Sequence, residues 1–575
     1  MNRLRENYAY VGRMAVAIGL VAGLCLWASA PVAQGCNNNW DNCSTLGDIT
    51  VWQAGVGNWL SASNWSLGLP STYKSARIDN GGTANIGDGC ASAKYLQVGF
   101  GSAGQGVVIM GTDATLQVHC GTHVGVAGSG FFMQTGGKHS ISDGDLCLGY
   151  DYMGNGTYFL SGGTLSADEG VMVGRSGLGS IIQNAGMLQT AHGSVILGRF
   201  ADSYGAYSLN DGRLIASCGE VVGWDGDADL TQNGGSNLVR GTLYMARGTN
   251  SFASYYLYGG LLDASKEVIG QLGSASIRQY GGINSMCGDL DLTASASLNS
   301  SSYSLNGGLL QVGGSETIGA AANGVFLQGG GVHQVGCTLA VGEKEDSSGL
   351  LILFGGNLEA RKLRVGALLG TGLLEIDDPS PLISARDEVM LGELSTLVAV
   401  PGAAIHMIGA VSSFLNESVD ETALAGLANL EVIFEGGIQY SSSGGGYGGG
   451  CGGGGGYGGG YGCNPQPRCG QQQPRCQQVQ WSVYEVAGTD SGLVPQGFVD
   501  NFALAKLTVG GAKAAAVKLV DRHDNGNRVN RNGEALYVHN VTVAAGSTLD
   551  LGGLNVYADG TVDIQGTVTG GVVHQ

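Results

Sequence analysis

The sequence predicts an all-β chain folded as a parallel β-solenoid of about 13 coils. Three observations predict it: 105 of the 575 residues are Gly, only 9 are Pro, and a pair of an apolar residue and Gly recurs along residues 98–392. Gly supplies turn conformations with positive φ, and a central strand cannot spare the backbone N–H that Pro lacks. The pairs recur about every 24 residues, and a repeat of that length, stacked on its neighbours, is typical of a solenoid.

Residues 1–33 have the pattern of a secretory signal. Arg3, Arg5 and Arg13 precede an apolar run over 14–27, and Ala28-Ser29-Ala30 follows as an A-x-A cleavage site. Lipidation at Cys36 and an uncleaved anchor stay open as alternatives. No other segment has 18 uncharged apolar residues, so we expect no further membrane span.

Residues 34–85 are expected to form a β-rich N-terminal cap. The segment contains Trp52, Trp59 and Trp65. A solenoid needs a distinct cap because the open edge of its first coil would otherwise pair with other chains. We expect the three Trp to form the core of this cap, and a sugar-stacking platform is the alternative.

Residues 86–410 are expected to hold the repeats. The residue two positions before each Gly turn alternates between Leu and Gln, so the underlying unit is two unlike coils of about 49 residues together. The Gln residues should point inward and bond to the backbone at the turn, because buried amides need partners. An exposed ligand-binding row is the alternative. The Gln positions are Gln134, Gln183, Gln232, Gln279 and Gln328.

Glu220, Glu267 and Glu316 occupy a place where the other coils have Leu or Val. Unpaired buried carboxylates are costly. We therefore expect a local shift of register that turns these side chains outward, with a metal-binding or catalytic ladder as the alternative.

The rest of the chain is expected to be a C-terminal β region, over 411–440 and 479–575, interrupted by an insert at 441–478. The insert is rich in Gly, Tyr and Cys and cannot bury a core, so we expect it to be disordered. An exported chain can form disulfides. Cys36 and Cys43 could close a local one, and the five Cys between 120 and 337 are expected to be small buried apolar residues.

Candidate chemistry in the sequence is sparse. Asp225, Asp227 and Asp229 resemble the start of a calcium loop, although Leu230 stands where the loop needs Gly. The segment 521–527 is a second weak calcium candidate, and solvated acidic turns are the alternative for both. We predict no catalytic residue and no cofactor-binding residue.

The segments GNGTYFLSGGTLSA (154–167) and SSSYSLNGGLLQV (300–312) resemble the autotransporter-associated β-strand repeats of β-helical passenger domains. The opening block with its Trp residues and the closing segment are similar to secreted bacterial β-helix proteins, some of which are pectate-lyase-like. The resemblance covers about 50–410 and 480–575, without a recognisable translocation barrel. It implies a β-helix that is secreted or held at the surface or outer envelope of a bacterium.

These observations favour a structural or adhesive protein with no catalysis. The alternative is a carbohydrate-active enzyme, either a polysaccharide lyase or a glycoside hydrolase, or a polysaccharide-binding module on a β-helix. Such an enzyme needs clustered acids with a basic residue in one groove. A net charge of −19 with only 27 Lys and Arg argues against a nucleic acid partner. Polysaccharide or other surface proteins are the expected partners.

Overall fold

The computed structural model describes residues 43, 45–293, 300–367, 369–441, 478–499, 501–528 and 533–575. Strand accounts for 59% and helix for 2%, and the strands form parallel stacked coils. The predicted β-solenoid is confirmed, but the count of 13 is wrong, since there are about 19 coils. The predicted signal at 1–33 and all but the ends of the predicted insert lie outside the described residues. No helix in the described part of the chain is long and apolar enough to cross a membrane.

A typical coil has three strands, which we call long, middle and closing. In one coil these are Asn155–Leu160, Thr164–Ala167 and Gly170–Val173. Alternate residues of the long strand are buried, which is the period-2 pattern of a strand with one face on a core. Each strand pairs in parallel with its counterparts in the neighbouring coils, as Leu178 pairs with Asn155.

The long strands are Ser129–Gln134, Asn155–Leu160, Leu178–Gln183, Tyr204–Leu209, Asp227–Gln232, Phe252–Leu257, Ser274–Gln279, Ser300–Leu305, Asn323–Gln328, Ser348–Leu353 and Thr371–Ile376. The separate middle strands are Lys138–Ile141, Thr164–Ala167, Met187–Thr190, Arg213–Ala216, Ile283–Met286 and Leu309–Val312. The separate closing strands are Asp145–Leu148, Gly170–Val173, Ser194–Leu197, Gly219–Val222, Leu290–Leu292 and Glu316–Ile318. Middle and closing strands are continuous in Ser236–Met245, Leu261–Ile269, Val332–Val341, Asn357–Val365 and Leu382–Leu391.

The coils begin earlier than the repeat predicts. The first strands are Asp48–Val51, Val56–Asn58, Lys74–Ile78, Asn80–Phe100 and Gln105–Val126, with a short 3-10 helix at Ala62–Asn64. Asp48 already pairs in parallel with Lys74. The sequence count missed the earliest coils because Asp48–Val51 and Lys74–Ile78 lack the apolar–Gly pair, whereas Asn80–Phe100 and Gln105–Val126 contain the first two pairs of the repeat. Trp52, Trp59 and Trp65 are buried and meet edge to face at 4.9 Å, as expected of a core cluster.

The described chain divides into two compact units. The first comprises residues up to Glu359, with Arg364–Leu382 and Gly392–Val398; the second comprises Ala360–Leu363, Ile383–Leu391 and Ala399–Gln575. The strands from residue 395 onward are Ser395–Ala399, Ala403–Met407, Ser413–Asn416, Leu430–Phe434, Gln439–Ser441, Gln478–Gln480, Ser482–Glu485, Gly488–Thr489, Leu504–Val509, Ala516–Val520, Glu534–Val543, Thr548–Asp550, Val556–Ala558, Val562–Ile564, Thr567–Thr569 and Val573–His574. Short 3-10 helices lie at Ala425–Asn429 and Pro495–Phe498.

Parallel pairing continues within the second unit. Thr548 pairs with Thr567, and Val556 with Val573. The C-terminal β region therefore contains coils that the repeat count omitted. The ends of the predicted insert are held together, since Gln439–Ser441 and Gln478–Gln480 form a separate antiparallel pair.

The apolar residues of the first six repeat pairs lie in one inward column of the first unit. The residues are fully buried and follow one another in register from coil to coil, as the sequence predicts. The next residue must be Gly, because Gly174 has φ +71° and a Cβ there would lie 2.1 Å from the carbonyl oxygen of Tyr204 in the next coil. The column is Val98, Val124, Leu148, Val173, Leu197 and Val222.

Candidate functional site

The candidate site lies on the outer side of the closing strands in the first unit. Cys147, Met172, Ile196 and Val221 follow one another in register there. Along each closing strand these residues alternate with those of the inward column. In a strand with one face on the core and one face in solvent, they would be exposed. They are nevertheless buried as an apolar cluster, because Tyr150, Trp224 and Tyr244 pack against them.

Two of the covering residues, Tyr150 and Trp224, directly follow repeat pairs. Arg and aromatic residues accumulate there and stack on one another along the coils. We call this set the arginine–aromatic column. Its members are Tyr150, Arg175, Arg199, Phe200, Trp224 and Arg247.

Stacking distances in the column are those of cation–π contacts, which form within about 6 Å of a ring centroid. The guanidinium carbon of Arg175 lies 4.3 Å from the ring centroid of Tyr150. That of Arg199 lies 4.2 Å, and that of Arg247 3.9 Å, from the ring of Trp224. Trp224 is therefore shared by two cations.

The electrostatics of the column are unusual for an acidic chain. Burial lowers the pKa of Arg199; Asp225 opposes this shift, and the neighbouring charges of Arg247 and Arg175 add to it. Arg199 lies 3.8 Å from Asp225, and this is the ion pair that the column's arginines make within the described residues. Arg175 lines a cavity together with Asp143, Asp145 and Glu169, so carboxylates lie near two of the three guanidinium groups.

A cavity of about 150 Å³ lies at the start of the column. His123, Asp145 and Cys147 bring one nitrogen, one oxygen and one sulfur atom within 4.8 Å of one another there. His123 Nε2 is 3.5 Å from Asp145 Oδ1, and the Cys147 thiol donates to Asp145 Oδ2 at 2.9 Å. Glu169 and Arg175 also line the cavity.

The side chains around this cavity are held firmly. The His123 ring stacks on Tyr150 with centroids 4.4 Å apart. Burial raises the pKa of the Cys147 thiol well above its usual range, and the nearby charge of Asp145 adds to this rise. At neutral pH the thiol is therefore protonated, which agrees with its role as a hydrogen-bond donor to the carboxylate.

The structure does not gather the three predicted calcium ligands. Asp225 pairs with Arg199, Asp227 accepts the backbone N–H of Phe252 at 2.9 Å, and Asp229 accepts the hydroxyl of Tyr204 at 2.6 Å. Within the described ranges, the group of three or more ligands close enough for a metal is His123, Asp145 and Cys147. Calcium at Asp225, Asp227 and Asp229 stays a prediction.

The expectation for the three Glu residues is wrong. Glu220, Glu267 and Glu316 are fully buried and point into the core. Asn237 donates to Glu220 at 3.0 Å, and Asn284 donates to Glu267 at 3.2 Å.

Burial raises the pKa of Glu220 to about 7 and that of Glu267 to about 8, while the amide donors oppose the shift. These carboxyls therefore bury at a lower cost by holding a proton near neutral pH. In the third case His333 Nε2 lies 2.6 Å from Glu316, so an imidazole takes the place of the Asn amide. The outward shift of register that the sequence analysis expected is not needed.

The Gln residues behave as predicted. All five are fully buried, so they form no exposed ligand-binding row. The amide nitrogen of Gln134 donates to the carbonyl groups of Gly136 and Thr164 at 3.0 and 3.1 Å. The sequence analysis missed the second partner, which is a Tyr from the following coil: Tyr158 donates its hydroxyl to Gln134 Oε1 at 2.6 Å.

Two expectations for the cysteines are wrong. Cys43 forms a disulfide with Cys120, not with Cys36, because coiling brings residues 77 apart in sequence together. Cys218 is also disulfide-bonded, so neither it nor Cys120 is simply a small buried apolar residue. Cys147 is buried as predicted.

Sequence reasoning also missed the arginine–aromatic column and the group at His123. The available signal was the residue directly after each repeat pair, which is Tyr150, Arg175, Arg199, Trp224 and Arg247 in five consecutive coils. No protein-family model, curated protein or solved structure matches the chain.

Proposed function

We propose that this chain is a non-catalytic adhesive β-solenoid of the bacterial cell surface, and that it binds an anionic polysaccharide along the arginine–aromatic column. The observation that carries the proposal is the column itself. Arg175 and Arg199 lie on adjacent coils and Arg247 two coils further on, each stacked on an aromatic ring, in a chain whose net charge is −19. A cationic stripe on an acidic protein favours an anionic partner locally.

The chemistry of the column suits a charged sugar polymer. Guanidinium groups pair with carboxylate or sulfate groups through two parallel hydrogen bonds. Aromatic rings supply flat apolar surface, and Phe200 is the most exposed ring of the column at 39%. Neighbouring coils are about 4.8 Å apart, so the column presents a periodic surface to a periodic ligand.

Two observations support an extracellular place for the chain. Residues 1–33 have the pattern of a signal peptide. The Cys43–Cys120 disulfide fits an oxidising compartment. Together with the column, which repeats from coil to coil, these two observations support an adhesive role outside the cell.

The carbohydrate-active alternative has one observation in its favour. Asp143, Asp145 and Glu169 converge with Arg175 on the cavity at the start of the column. The cavity holds about 150 Å³, room for about five water molecules, and the Cys43–Cys120 disulfide forms part of its wall. That space suits a small ligand better than a sugar chain, so we favour binding over cleavage.

The test is binding of the purified chain to a uronic-acid polymer, polygalacturonate, with neutral dextran as the negative ligand, followed by calorimetry. The triple variant Arg175→Gln, Arg199→Gln, Arg247→Gln should lose at least about tenfold in affinity. The matched control is Arg278→Gln, which removes an exposed Arg near Tyr256 on a long strand.

Binding that is equal in the triple variant and the control would overturn the proposed site, and no binding to polygalacturonate would overturn the proposed ligand class. The same reactions are assayed for new reducing ends and for unsaturated products. Turnover by the unaltered chain would favour the enzyme.

A further inference from the structure

We infer that His123, Asp145 and Cys147 form a binding site for a divalent metal ion of the zinc type. None of the three residues belongs to the arginine–aromatic column, although Tyr150 and Arg175 of the column line the same cavity, and the inference does not require that the column binds a polysaccharide. Neither the repeat pattern nor the packing of the core requires these three side chains to lie together.

The geometry comes from two adjacent closing strands. His123 and Cys147 are register partners, so their side chains leave the sheet at the same place. Asp145 lies two residues before Cys147 in the strand Asp145–Leu148, and period-2 alternation places the two on the same face. The backbone pairing therefore brings the three side chains together.

The burial of these groups is not explained by packing alone. The side chains of His123 and Asp145 are 11% and 10% exposed, and Cys147 is fully buried. A thiol that served only the apolar cluster with Met172 would need neither an imidazole nor a carboxylate beside it. Desolvating two polar side chains has a cost that a bound cation would offset.

The donor set selects the class of metal. A thiolate, an imidazole and one carboxylate oxygen are the ligands that zinc and similar borderline ions prefer, whereas calcium and magnesium take oxygen only. Zinc holds such donors at about 2.0–2.3 Å, which puts them roughly 3.5 Å apart in a tetrahedral site. The 3.5 Å between His123 Nε2 and Asp145 Oδ1 agrees with that arrangement, and all three ligand atoms lie within 4.8 Å of one another. The 2.9 Å between Cys147 Sγ and Asp145 Oδ2 is a hydrogen bond, which the thiol gives up when it binds the metal.

Three protein ligands leave a fourth position, which faces the cavity and has room for water. Coordination replaces the Sγ–H bond of Cys147 with a metal–thiolate bond, and the proton passes to the buffer. Such a site is exchangeable rather than closed, because its fourth ligand is a water molecule.

The experiment is a titration of the full chain with Co²⁺ under non-reducing conditions, followed by displacement with Zn²⁺. We expect one Co²⁺ per chain, with a thiolate-to-cobalt charge-transfer band and the intense visible bands of a tetrahedral ion. His123→Gln should weaken binding at least about tenfold, and Cys147→Ser should abolish the charge-transfer band. The matched control is His192→Gln, which removes a histidine paired with Asp168 at 2.9 Å on neighbouring coils, where the nearby sulfur of Cys218 is disulfide-bonded.

Absence of the band would overturn the inference. So would a band that is unchanged in His123→Gln, because it would place the thiolate elsewhere, for example among the cysteines of residues 451–476. Thermal unfolding supplies a second readout that does not depend on Cys147→Ser folding. Zn²⁺ should raise the midpoint of the unaltered chain and of His192→Gln, but not that of His123→Gln. An equal rise in all three would also overturn the assignment.

Discussion

At the scale of single residues, the buried Gln column is the first place where the core can be tested. Gln232 donates to the carbonyl of Leu261 at 3.0 Å and accepts the hydroxyl of Tyr255 at 2.6 Å. Gln232→Leu removes the donor to the Leu261 carbonyl and the acceptor of the Tyr255 hydroxyl, which keeps only the longer contact from Asn237 at 3.3 Å. We expect a loss of about 1–3 kcal/mol in the free energy of unfolding, measured in denaturant.

The control is Gln117→Leu, on an exposed strand position, whose free energy of unfolding should stay within about 0.5 kcal/mol of the unaltered chain. Equal midpoints for the two variants would contradict a bonded, buried amide.

The buried carboxyls predict a dependence on pH. Glu220 and Glu267 have pKa values raised by burial to about 7 and about 8, above the ordinary 4.5. A raised pKa means that the folded state holds its proton more tightly than the unfolded state. Their contribution to stability is therefore most favourable below about pH 4.5 and is lost as the pH rises to about 8. Between those limits, each carboxyl lowers the free energy of unfolding by up to about 1.4 kcal/mol per pH unit.

The double variant Glu220→Gln, Glu267→Gln carries no charge to bury. We expect it to unfold at a higher denaturant concentration than the unaltered chain at pH 8.5, and to show a flatter profile of stability against pH between 5 and 8.5. Glu345→Gln, at an exposed position, serves as the control and should follow the unaltered chain. A double variant that loses stability equally at both ends of the pH range would show that the carboxyls are held in another way.

At the scale of elements, the working unit is a pair of coils. A Gln coil supplies the amide and the following coil supplies the Tyr hydroxyl, as in Gln183 with Tyr207 and Gln279 with Tyr303. The Gln residues are two coils apart, so they form no continuous ladder. Exposed Asn side chains at the turns do form one: Asn210 donates to Asn184, and Asn233 to Asn210, each at 2.7 Å.

Deletions can test whether the stable unit is a pair of coils or a single coil. Removing 227–273 joins Gly226 to Ser274 and takes out one complete pair, because Phe252 is in register with Ser274 and Tyr204 with Asp227. Removing 252–273 takes out one coil and places Gln279 beside Gln232 without Tyr255. We expect the larger deletion to be the more stable protein, since it keeps Gln183 with Tyr207 and Gln279 with Tyr303. Urea unfolding of both deletions checks this, and a lower midpoint for the larger one would mean that coil number outweighs coil type.

At the scale of the whole molecule, the repeat was enough to predict the fold but not its extent. The apolar–Gly pair marks coils in which a Gly meets the backbone of its neighbour, as at Gly174. The coil of Asp48–Val51 turns without the pair, and the coils after residue 411 carry it at only some turns, as at Val509-Gly510, so the regular spacing is lost and the count fell short.

The candidate sites escaped sequence analysis for a different reason. His123, Asp145 and Cys147 are separated by up to 24 positions, and only parallel register brings them together. The burial of Glu220 was mispredicted because its partner Asn237 is a residue of the next coil, which a reading along one strand cannot supply. Both errors come from contacts between coils, whereas the confirmed predictions rest on alternation within a strand and on turns.

The ends of a solenoid limit its stability, since an end coil has a neighbour on one side only. The Cys43–Cys120 disulfide spans 77 residues and ties the start of the described chain to the later coil of Cys120. By loop-closure entropy, a link of that span stabilises the folded state by about 4.5 kcal/mol. We expect Cys43→Ala, Cys120→Ala to lower the urea midpoint of the first unit and to make exchange of backbone amides in 48–78 faster than in 178–232. Cys90→Ala, at an exposed cysteine, is the control. Amide exchange that is unchanged in 48–78 would show that the Trp52–Trp65 contact and the parallel strands hold this end without the covalent link.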